Sequence, residues 1–397
     1  MRSRRQAGRR QAGDVRLTIL TTLAALTSLA WLAATPAPAQ AQSAQAQPGD
    51  AARRRPDDTP SVRVGATIYA DFSFQESPET FDTDGNRIHP DAFNVARSYV
   101  NITGSLSHIV AFRITPDVVR ESQLVTPGTS GSVPNDSLVF RLKYAYGQFN
   151  LDDWMTKGSY VRLGIQQTPL LDYEENIYRY RFQGTTFTER EGYYNSADAG
   201  VSFHYNLPSD FGDLHVGVYD GEGYTRTDPN DQKAVEIRGS VRPFAKQQKA
   251  LLHGLRLTGF LFGDHYVKSA ERTRAVGQVT FESSHLNAGF DAISAHDQAS
   301  LRTVDTGSSG WSWWATPRKP LENGASLEAL LRYDHLRPDT GLDANRTRTI
   351  VGFAYWLPHQ GAVTSALMVD YDGQTFHNYA TAPVAQKRIA VHGLINF

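Results

Sequence analysis

Apolar and polar residues alternate with a period of two from residue 61 to the C-terminus. In residues 62–74 one face carries Val64, Ala66, Ile68, Ala70, Phe72 and Phe74, and the other carries Arg63, Thr67, Tyr69, Asp71 and Ser73. This alternation predicts a β-strand with one apolar and one mostly polar face. The same pattern predicts fifteen further strands, at residues 94–105, 107–115, 138–149, 159–168, 197–206, 212–220, 233–243, 254–264, 272–282, 284–295, 309–316, 324–335, 346–357, 362–372 and 386–397.

The last of these strands ends at the C-terminal residue. Its apolar face carries Val391, Ile395 and Phe397. A free edge strand exposes unpaired backbone donors and acceptors, and pairing with the first strand of a closed barrel removes that liability. An alternating last strand that ends in an aromatic residue is also the pattern that outer-membrane barrels present to the barrel-insertion machinery. We therefore predict that these three residues form an insertion signal. An ordinary amphipathic strand that happens to end at Phe397 is the alternative.

The predicted strands are 8–13 residues long, close to the length that a tilted strand needs to cross a bilayer. Because the strand number, sixteen, is even, the first and last strands place the N- and C-termini of the barrel on the same side of the membrane. The count can err by two, because two apolar faces fit residues 254–264: that of Leu255, Leu257 and Leu261, or that of Phe260 and Phe262. The predicted fold class is all-β, a transmembrane antiparallel β-barrel of sixteen strands with a constriction loop folded inward.

The residues before the barrel have a different composition. Residues 1–16 are rich in Arg, residues 17–34 are largely apolar, and Ala39-Gln40-Ala41 is a small-residue cleavage pattern. This order predicts a secretory signal peptide, and we favour general secretion over a twin-arginine route because a barrel must cross the inner membrane unfolded. Residues 42–60 are rich in Pro, Gln, Ala and charge, which predicts a disordered periplasmic tether. The predicted domains are a signal peptide at 1–41, the tether at 42–60 and the barrel at 61–397.

Composition excludes several classes of protein. The chain has no Cys, so disulfides and thiolate metal sites are absent. Residues 1–41 hold six Arg and one Asp, which leaves 34 basic and 40 acidic side chains in the remainder. This acidic balance disfavours nucleic-acid binding. No internal run approaches the ~20 apolar residues of a membrane helix. A barrel strand needs no such run, because its apolar and polar faces alternate and its mean hydropathy is therefore polar.

The most specific motifs lie around residues 160–206. Tyr160-Val161-Arg162-Leu163-Gly164-Ile165-Gln166-Gln167-Thr168-Pro169 is followed by a polar and aromatic segment with Glu189-Arg190, and then by Asp198-Ala199-Gly200. Leu331-Arg332-Tyr333-Asp334 occurs near the end of the chain. These motifs resemble those of the phosphate-selective porin O/P family, and the resemblance covers residues 62–397. It implies an outer-membrane porin, commonly a trimer, in which the strand R-x-G-x-x-x-x-P leads into a loop that folds into the barrel. The arginine ladder and lysine cluster on which that family's phosphate selectivity depends are not evident here.

The segment 170–196 is too long for a tight turn and carries mixed charges. A sixteen-stranded barrel is wide enough to leave an aqueous channel, so this polar segment is predicted to fold inward and narrow the pore. Its predicted constriction residues are Arg179, Arg181, Glu189 and Arg190. The alternative is that the segment covers the barrel from outside.

Charges that face the lumen set the selectivity of a pore. Alternation predicts inward Arg63, Arg97, Arg113, Arg141, Lys143 and Arg162 on the early strands, almost without acids, and later Arg238, Arg242, Arg332 and Arg388. The predicted inward acids are Asp71, Glu236, Asp291, Glu328, Asp334 and Asp370. Guanidinium groups on a pore wall attract anions through charged hydrogen bonds, so the six early cations are predicted to line the pore and attract anions. Alternatively, the arginines pair with loop acids such as Glu174, Glu175 and Glu189 and brace the loop.

Passive diffusion of small hydrophilic solutes, with a preference for anions, is the leading functional hypothesis. A structural or adhesion barrel with a plugged lumen is a second hypothesis, and an outer-membrane enzyme is a third. The enzyme is disfavoured because the neighbours in Asp264-His265 and Asp334-His335 point to opposite faces of their strands, and no H-E-x-x-H pattern occurs. The predicted location is the outer membrane of a Gram-negative cell. The predicted partners are membrane lipids, the insertion machinery, small anions and further copies in a homotrimer, with no cofactor, metal or nucleic acid.

Overall fold

The computed structural model describes residues 58–120, 138–247, 252–359, 361, 363–381 and 383–397. The predicted signal peptide at 1–41 and residues 42–57 of the predicted tether lie outside the described residues. The chain from residue 61 onward forms a closed barrel of antiparallel strands in which every strand pairs with its neighbours in the chain and the first pairs with the last. The predicted fold class and strand number are therefore confirmed.

All sixteen barrel strands overlap the predicted segments. They are β1 (Ser61–Ser77), β4 (Asp91–Ser105), β5 (Val110–Arg120), β6 (Leu138–Asn150), β7 (Tyr160–Gln167), β8 (Ala197–Asn206), β9 (Gly212–Tyr219), β10 (Ala234–Val241), β11 (Leu255–Val267), β12 (Ala270–Glu282), β13 (Leu286–Asp297), β14 (Thr306–Pro320), β15 (Ser326–Arg337), β16 (Asn345–Trp356), β17 (Thr364–His377) and β18 (Gln386–Asn396). A small hairpin of β2 (Thr80–Phe81) and β3 (Arg87–Ile88) lies in the connection between β1 and β4.

The seam between β1 and β18 closes the barrel. Its register runs from Thr67 opposite Asn396 to Ser77 opposite Lys387. Beyond the strand, the backbone N–H of Ala66 donates to the carbonyl of Phe397 at 3.1 Å, and the N–H of Phe397 donates to the carbonyl of Ala66 at 3.0 Å. Gly65 is needed beside this pair, because a Cβ there would lie 2.3 Å from the Phe397 carbonyl oxygen. The last residue therefore completes the ladder, which leaves no edge unpaired.

The two faces of the wall differ as the alternation predicts. Outward side chains such as Val64, Phe93 and Leu163 are 68%, 84% and 61% exposed, whereas inward Gln166, Asp291 and Arg332 are buried. A continuous exposed apolar face is what contact with lipid requires. On β11 the inward residues are Phe260 and Phe262, both buried, and this resolves the ambiguity of residues 254–264.

A β-bulge between β5 and β6 breaks the alternation at one place. The register shifts where Thr115 pairs with Tyr144 and Pro116 with Leu142, so Lys143 is the extra residue. Bulges re-aim side chains, and here both Lys143 and Tyr144 point inward and are buried. Because alternation continues from Tyr144, Tyr146 also points inward, with the Arg162 guanidinium 4.8 Å from its ring centroid. Strict alternation from Leu138, Phe140 and Leu142 predicts Tyr144 and Tyr146 on the apolar face, and the structure shows that this prediction is wrong.

The barrel has two distinct ends. Both described termini lie at one of them, here called the terminal end, and the other is the loop end. Connections at the terminal end are mostly short, although residues 242–254 form a longer one, and the loop end includes a two-residue turn at 268–269. Within the described parts of the chain, none of the helices has the length and apolarity that a membrane-spanning helix requires.

The His108 side chain links the start of the described chain to two turns at the terminal end. The backbone N–H of His108, in the turn between β4 and β5, donates to Asp58 at 2.9 Å, and its ring nitrogens contact the carboxylates of Asp58 and, at 3.0 Å, Asp153. The side-chain hydrogen bonds with Asp58 and Asp153 raise the pKa of His108. The hydrogen bonds from His108 lower the pKa of Asp58. The start of the described chain is thereby fastened to two turns.

Candidate functional site

The segment after β7 turns into the barrel and holds two short helices, α1 (Pro169–Tyr178) and α2 (Phe187–Arg190). Pro169 occupies the first turn of α1, where its missing N–H costs nothing, and Asp172 lies in the same turn, where the helix dipole favours an acid. Arg179 ends α1 with a φ of 58°, the left-handed conformation typical of helix C-termini. This segment, residues 168–196, is here called the inner loop.

The inner loop packs against one wall of the barrel through apolar side chains. One cluster joins Tyr173, Ile177, Tyr178, Tyr180 and Phe182 to Trp314, Leu330, Ile350 and Met368 on β14–β17. A second cluster joins Leu170, Leu171, Phe187 and Tyr194 to Phe260, Phe262, Val276 and Ile293 on β11–β13. Burial of each large side chain stabilises by roughly 1.5–3 kcal/mol. The inner loop therefore lies inside the barrel and is held to one side of it.

Polar contacts fix the inner loop at several points on the same wall. Arg332 on β15 donates to both oxygens of Asp334 at 2.8 and 2.7 Å, and it also donates to the Thr185 carbonyl at 2.8 Å and the Tyr178 hydroxyl at 3.3 Å. Gln183 donates to Asp370 at 2.7 Å. The motif Leu331-Arg332-Tyr333-Asp334, which carried part of the family resemblance, thus serves here as an anchor for the inner loop.

The predicted constriction residues all lie on the inner loop and all have charged partners. Arg181 contacts Glu175 at 3.2 Å and also pairs with Glu189, so this part of the loop is braced internally. Arg179 pairs with Glu328 of β15 at 3.0 Å. Arg190 lies 3.8 Å from Asp372 of β17. The alternative considered from the sequence had wall arginines pairing with loop acids, whereas here the loop arginines Arg179 and Arg190 pair with acids of the wall.

Two of the six early cations share an acid that sequence analysis missed. Arg97 and Arg141 pair with Asp117 at 2.8 and 3.1 Å, and the Asp117 side chain is fully buried. The predicted strand at 107–115 stops short of Asp117, so the expectation that the early strands hold almost no acids misses this residue. The strand continues past Pro116 to Arg120, since a proline is tolerated at a bulge.

The other four early cations differ in their surroundings. Arg162 contacts Asp172 of the inner loop at 3.6 Å, and Arg63 is exposed at the terminal end. Arg113 donates to Asn101 and Thr115 at 2.9 and 3.0 Å. Lys143 donates to the Tyr99 hydroxyl at 3.2 Å. Among the described residues, Arg113 and Lys143 have no carboxylate within ion-pair distance.

Three cavities on the free side of the inner loop share lining residues and so follow one another along the barrel. The central cavity, ≈ 490 Å³, lies between α1 and the wall of β1, β4, β5, β6 and β18. The narrow cavity, ≈ 140 Å³, shares Tyr69, Tyr99 and Arg181 with it. The outer cavity, ≈ 380 Å³, shares Gly184, Thr185 and Arg388 with the narrow one.

Basic side chains outnumber carboxylates among the residues that line this path. Four carboxylates line it, Asp71, Asp172, Glu175 and Asp372. Nine basic side chains line it, Arg97, Arg113, Lys143, Arg179, Arg181, Arg190, Arg348, Lys387 and Arg388. Three of these cations also pair with acids behind the lining: Arg97 with Asp117, Arg179 with Glu328 and Arg181 with Glu189. Sequence analysis missed Arg348 and Asp372, although β16 and β17 were predicted and strict alternation along them would have found both. A fourth cavity, ≈ 480 Å³, is balanced by comparison, with Arg162, Arg238 and Arg256 facing Asp172, Asp210 and Asp213.

The two acid–histidine neighbours in the sequence do not form shared sites, whereas His392 pairs with Asp370 at 3.0 Å inside the lumen. The part of the chain that the structure describes contains no group of three His, Asp or Glu side chains arranged to hold a metal ion. Asp264 pairs with Arg272 and Asp334 with Arg332 on the lumen side. His335 stacks on Trp311, with ring centroids 5.6 Å apart, on the opposite face from Asp334.

No protein-family model and no curated protein matches this chain. Solved outer-membrane proteins share its fold. A loop L8 deletion mutant of OmpT from Vibrio cholerae has a TM-score of 0.55 at 14% identity, over 86% of this chain and 100% of that one. In-vitro folded OmpT in a trimer form has a TM-score of 0.51 at 11% identity, over 86% and 100%. The outer membrane channel DcaP of Acinetobacter baumannii has a TM-score of 0.54 at 13% identity, over 85% and 97%. The fold is that of outer-membrane barrels, in agreement with the predicted location, whereas membership of the phosphate-selective family remains a prediction.

Proposed function

We propose that this chain is an outer-membrane porin through which small hydrophilic solutes diffuse passively, with a preference for anions. The observation that carries this proposal is the path past the inner loop, which nine basic side chains and only four carboxylates line. Fixed charges of one sign in a channel with low-dielectric walls raise the local concentration of the opposite ion. The excess is local, because the whole chain has a formal net charge of only -1.

The position of the inner loop favours a constriction over a plug. Its apolar side chains face one wall, while Asp172, Asn176, Arg179 and Arg181 face the central cavity. Charged groups are stable there only when water or a counter-ion reaches them. Although these charges have partners, the side chains of Arg179 and Asp172 stay 29% and 26% exposed, so the loop leaves open space beside it where a plug would fill the lumen.

The remaining features of the proposal concern placement and assembly. The exposed apolar outer face suits outer-membrane lipid, with the terminal end in the periplasm and the insertion machinery acting on Val391, Ile395 and Phe397. A homotrimer is proposed by analogy with the trimer form of OmpT. A non-enzymatic role is favoured because Asp264 and Asp334 are engaged by arginines rather than by a histidine. Light scattering of the detergent-solubilised protein tests the trimer directly.

Planar-bilayer recording with a KCl gradient tests the function. We expect ohmic conductance and a reversal potential of the sign that chloride preference gives. Replacement of both Arg348 and Arg388 by Gln should shift that potential toward the cation side. Lys268→Gln is the matched control, because Lys268 is exposed in the two-residue turn and pairs with Asp231 away from the path. Absence of conductance would reject the pore, and a wild-type potential of cation sign would reject the anion preference.

A further inference from the structure

Lys143 is a buried lysine with no carboxylate within ion-pair distance among the residues described. Its side chain is 3% exposed, its ammonium group donates to the Tyr99 hydroxyl at 3.2 Å, and it lines the central cavity. A buried charge without an ionic partner is costly. Lys143 is the extra residue of the bulge between β5 and β6, and its side chain points into the lumen. Such a group can be satisfied by an anion that enters the cavity.

Arg113 lies beside Lys143 and is in the same condition. Its guanidinium carbon is 4.5 Å from the centroid of the Tyr144 ring, and the Lys143 nitrogen is 5.2 Å from the same centroid. The hydrogen bonds of Arg113 go to Asn101 and Thr115, which are neutral. Two basic side chains therefore converge on one aromatic ring, and neither has a carboxylate within ion-pair distance among the described residues.

The acids across the cavity are already engaged. Glu175 contacts Arg181 at 3.2 Å, and Asp172 contacts Arg162 at 3.6 Å. Neither carboxylate lies within ion-pair distance of Lys143 or Arg113 in the described structure. The positive charge at the wall is consequently available to a solute.

Aromatic and aliphatic surfaces line the rest of the central cavity. Tyr69, Tyr99, Tyr144, Trp356 and Leu394 all face it, and the rings of Tyr69 and Tyr99 meet edge to face with centroids 6.0 Å apart. Small-molecule sites are typically about 300–1,000 Å³ and combine apolar walls with a few convergent polar groups. The central cavity, ≈ 490 Å³, has both properties. An inorganic anion would meet the cations but would leave the rings unused.

We propose that the central cavity is a binding site for small aromatic monocarboxylates. Lys143 and Arg113 hold the carboxylate, while the rings of Tyr99, Tyr144 and Trp356 contact the aromatic body of the solute. This inference rests on the proposed pore and names a class of solute for it. Binding is reversible and involves no covalent step.

Sodium benzoate is the probe, with sodium acetate and sodium phosphate at matched ionic strength as comparisons. In planar bilayers, benzoate should reduce the chloride current with a half-saturating concentration at least about tenfold below that of acetate, because only benzoate uses the rings. Lys143→Met should raise the benzoate value about tenfold to a hundredfold, the range expected for one lost charged hydrogen bond. Lys268→Met, on the exposed turn, should leave it unchanged. Equal values for benzoate and acetate, or for wild type and Lys143→Met, would overturn the site.

A second measurement separates this site from the pore. Trp356 lines the central cavity, so benzoate should change the tryptophan fluorescence of the detergent-solubilised protein, and Arg113→Gln should weaken that response if Lys143→Met does not fold. Normal anion conductance without benzoate binding would refute the site and leave the porin intact. Benzoate binding without conductance in any electrolyte would support the site and refute the pore.

Discussion

Arg332→Met tests how the inner loop is held. Arg332 is 2% exposed, and its guanidinium binds Asp334 on its own strand as well as Tyr178 and Thr185 on the inner loop. Methionine keeps much of the length and volume of the side chain but removes every donor. The substitution therefore removes a charged anchor without opening a large cavity.

Arg332→Met should have two separate effects, a loss of folding stability and a weaker attachment of the inner loop. Asp334 is also 2% exposed and keeps only the hydrogen bond from Ser312 at 2.7 Å, so it becomes a buried charge without an ion partner, at about 3–5 kcal/mol. On the loop side, the lost hydrogen bond to the Thr185 carbonyl is worth about 1.5–3 kcal/mol, which is roughly a tenfold to hundredfold increase in the population of the detached loop. The apolar clusters remain, so the loop should fluctuate rather than leave the lumen.

Urea unfolding in detergent and single-channel recording report the two costs separately. We expect Arg332→Met to lower the unfolding midpoint and to increase the open-channel current noise. The double variant Arg332→Met/Asp334→Leu removes both charges, so it should recover most of the lost stability while the noise persists. If the single variant unfolds at the wild-type midpoint, or the double variant is as unstable as the single one, the account of this ion pair is wrong.

Two further predictions concern the terminal end. The pKa of His108 is raised in the folded protein. Its ion pairs therefore stabilise the folded state fully at pH values below its unfolded pKa of about 6.5. This contribution is lost as the pH rises through the folded pKa. The pKa of Asp58 is lowered in the folded protein, so its carboxylate stabilises the folded state above about pH 3.9. This contribution is lost as the pH falls through the folded pKa. The melting temperature of wild type should therefore exceed that of His108→Gln most at about pH 5–6 and converge with it at alkaline pH; a difference that grows with pH would contradict this. Phe397 is 61% exposed, so Phe397→Ser should change the stability of the refolded barrel by less than about 0.5 kcal/mol yet reduce the heat-modifiable fraction in cell outer membranes, and equal fractions would reject its role as an insertion signal.

Sequence alone predicts the wall of this barrel well, because hydrocarbon outside and water inside impose opposite characters on successive side chains. The segment predicted at 197–206 coincides with β8, and Arg238, Asp291 and Asp370 lie on the lumen side as predicted. The same rule fails at Tyr144 and Tyr146, where one inserted residue inverts the phase. A bulge leaves no mark in the hydropathy pattern, since tyrosine is acceptable on either face.

The inner loop was harder to predict, because its path depends on tertiary contacts. Its length and charges indicated that it enters the lumen, but nothing in the local sequence shows that Leu170 and Phe187 pack on β11–β13. The partners of the arginines were missed for the same reason. Asp372, which faces Arg190, Arg348 and Arg388, acquires its role only when three distant segments meet.

The one-sided packing of the inner loop has a consequence for assembly. Because most of the loop's apolar contacts are with β9–β17, the free passage runs along the seam, where Thr67 and Tyr69 of β1 and Leu394 and Asn396 of β18 line the central cavity. The Thr67 hydroxyl donates to the Asn396 side chain across that junction at 2.7 Å. This part of the conduit wall thus forms only when the final strand docks. An incomplete barrel has no finished route for ions, so permeability arises together with closure rather than before it.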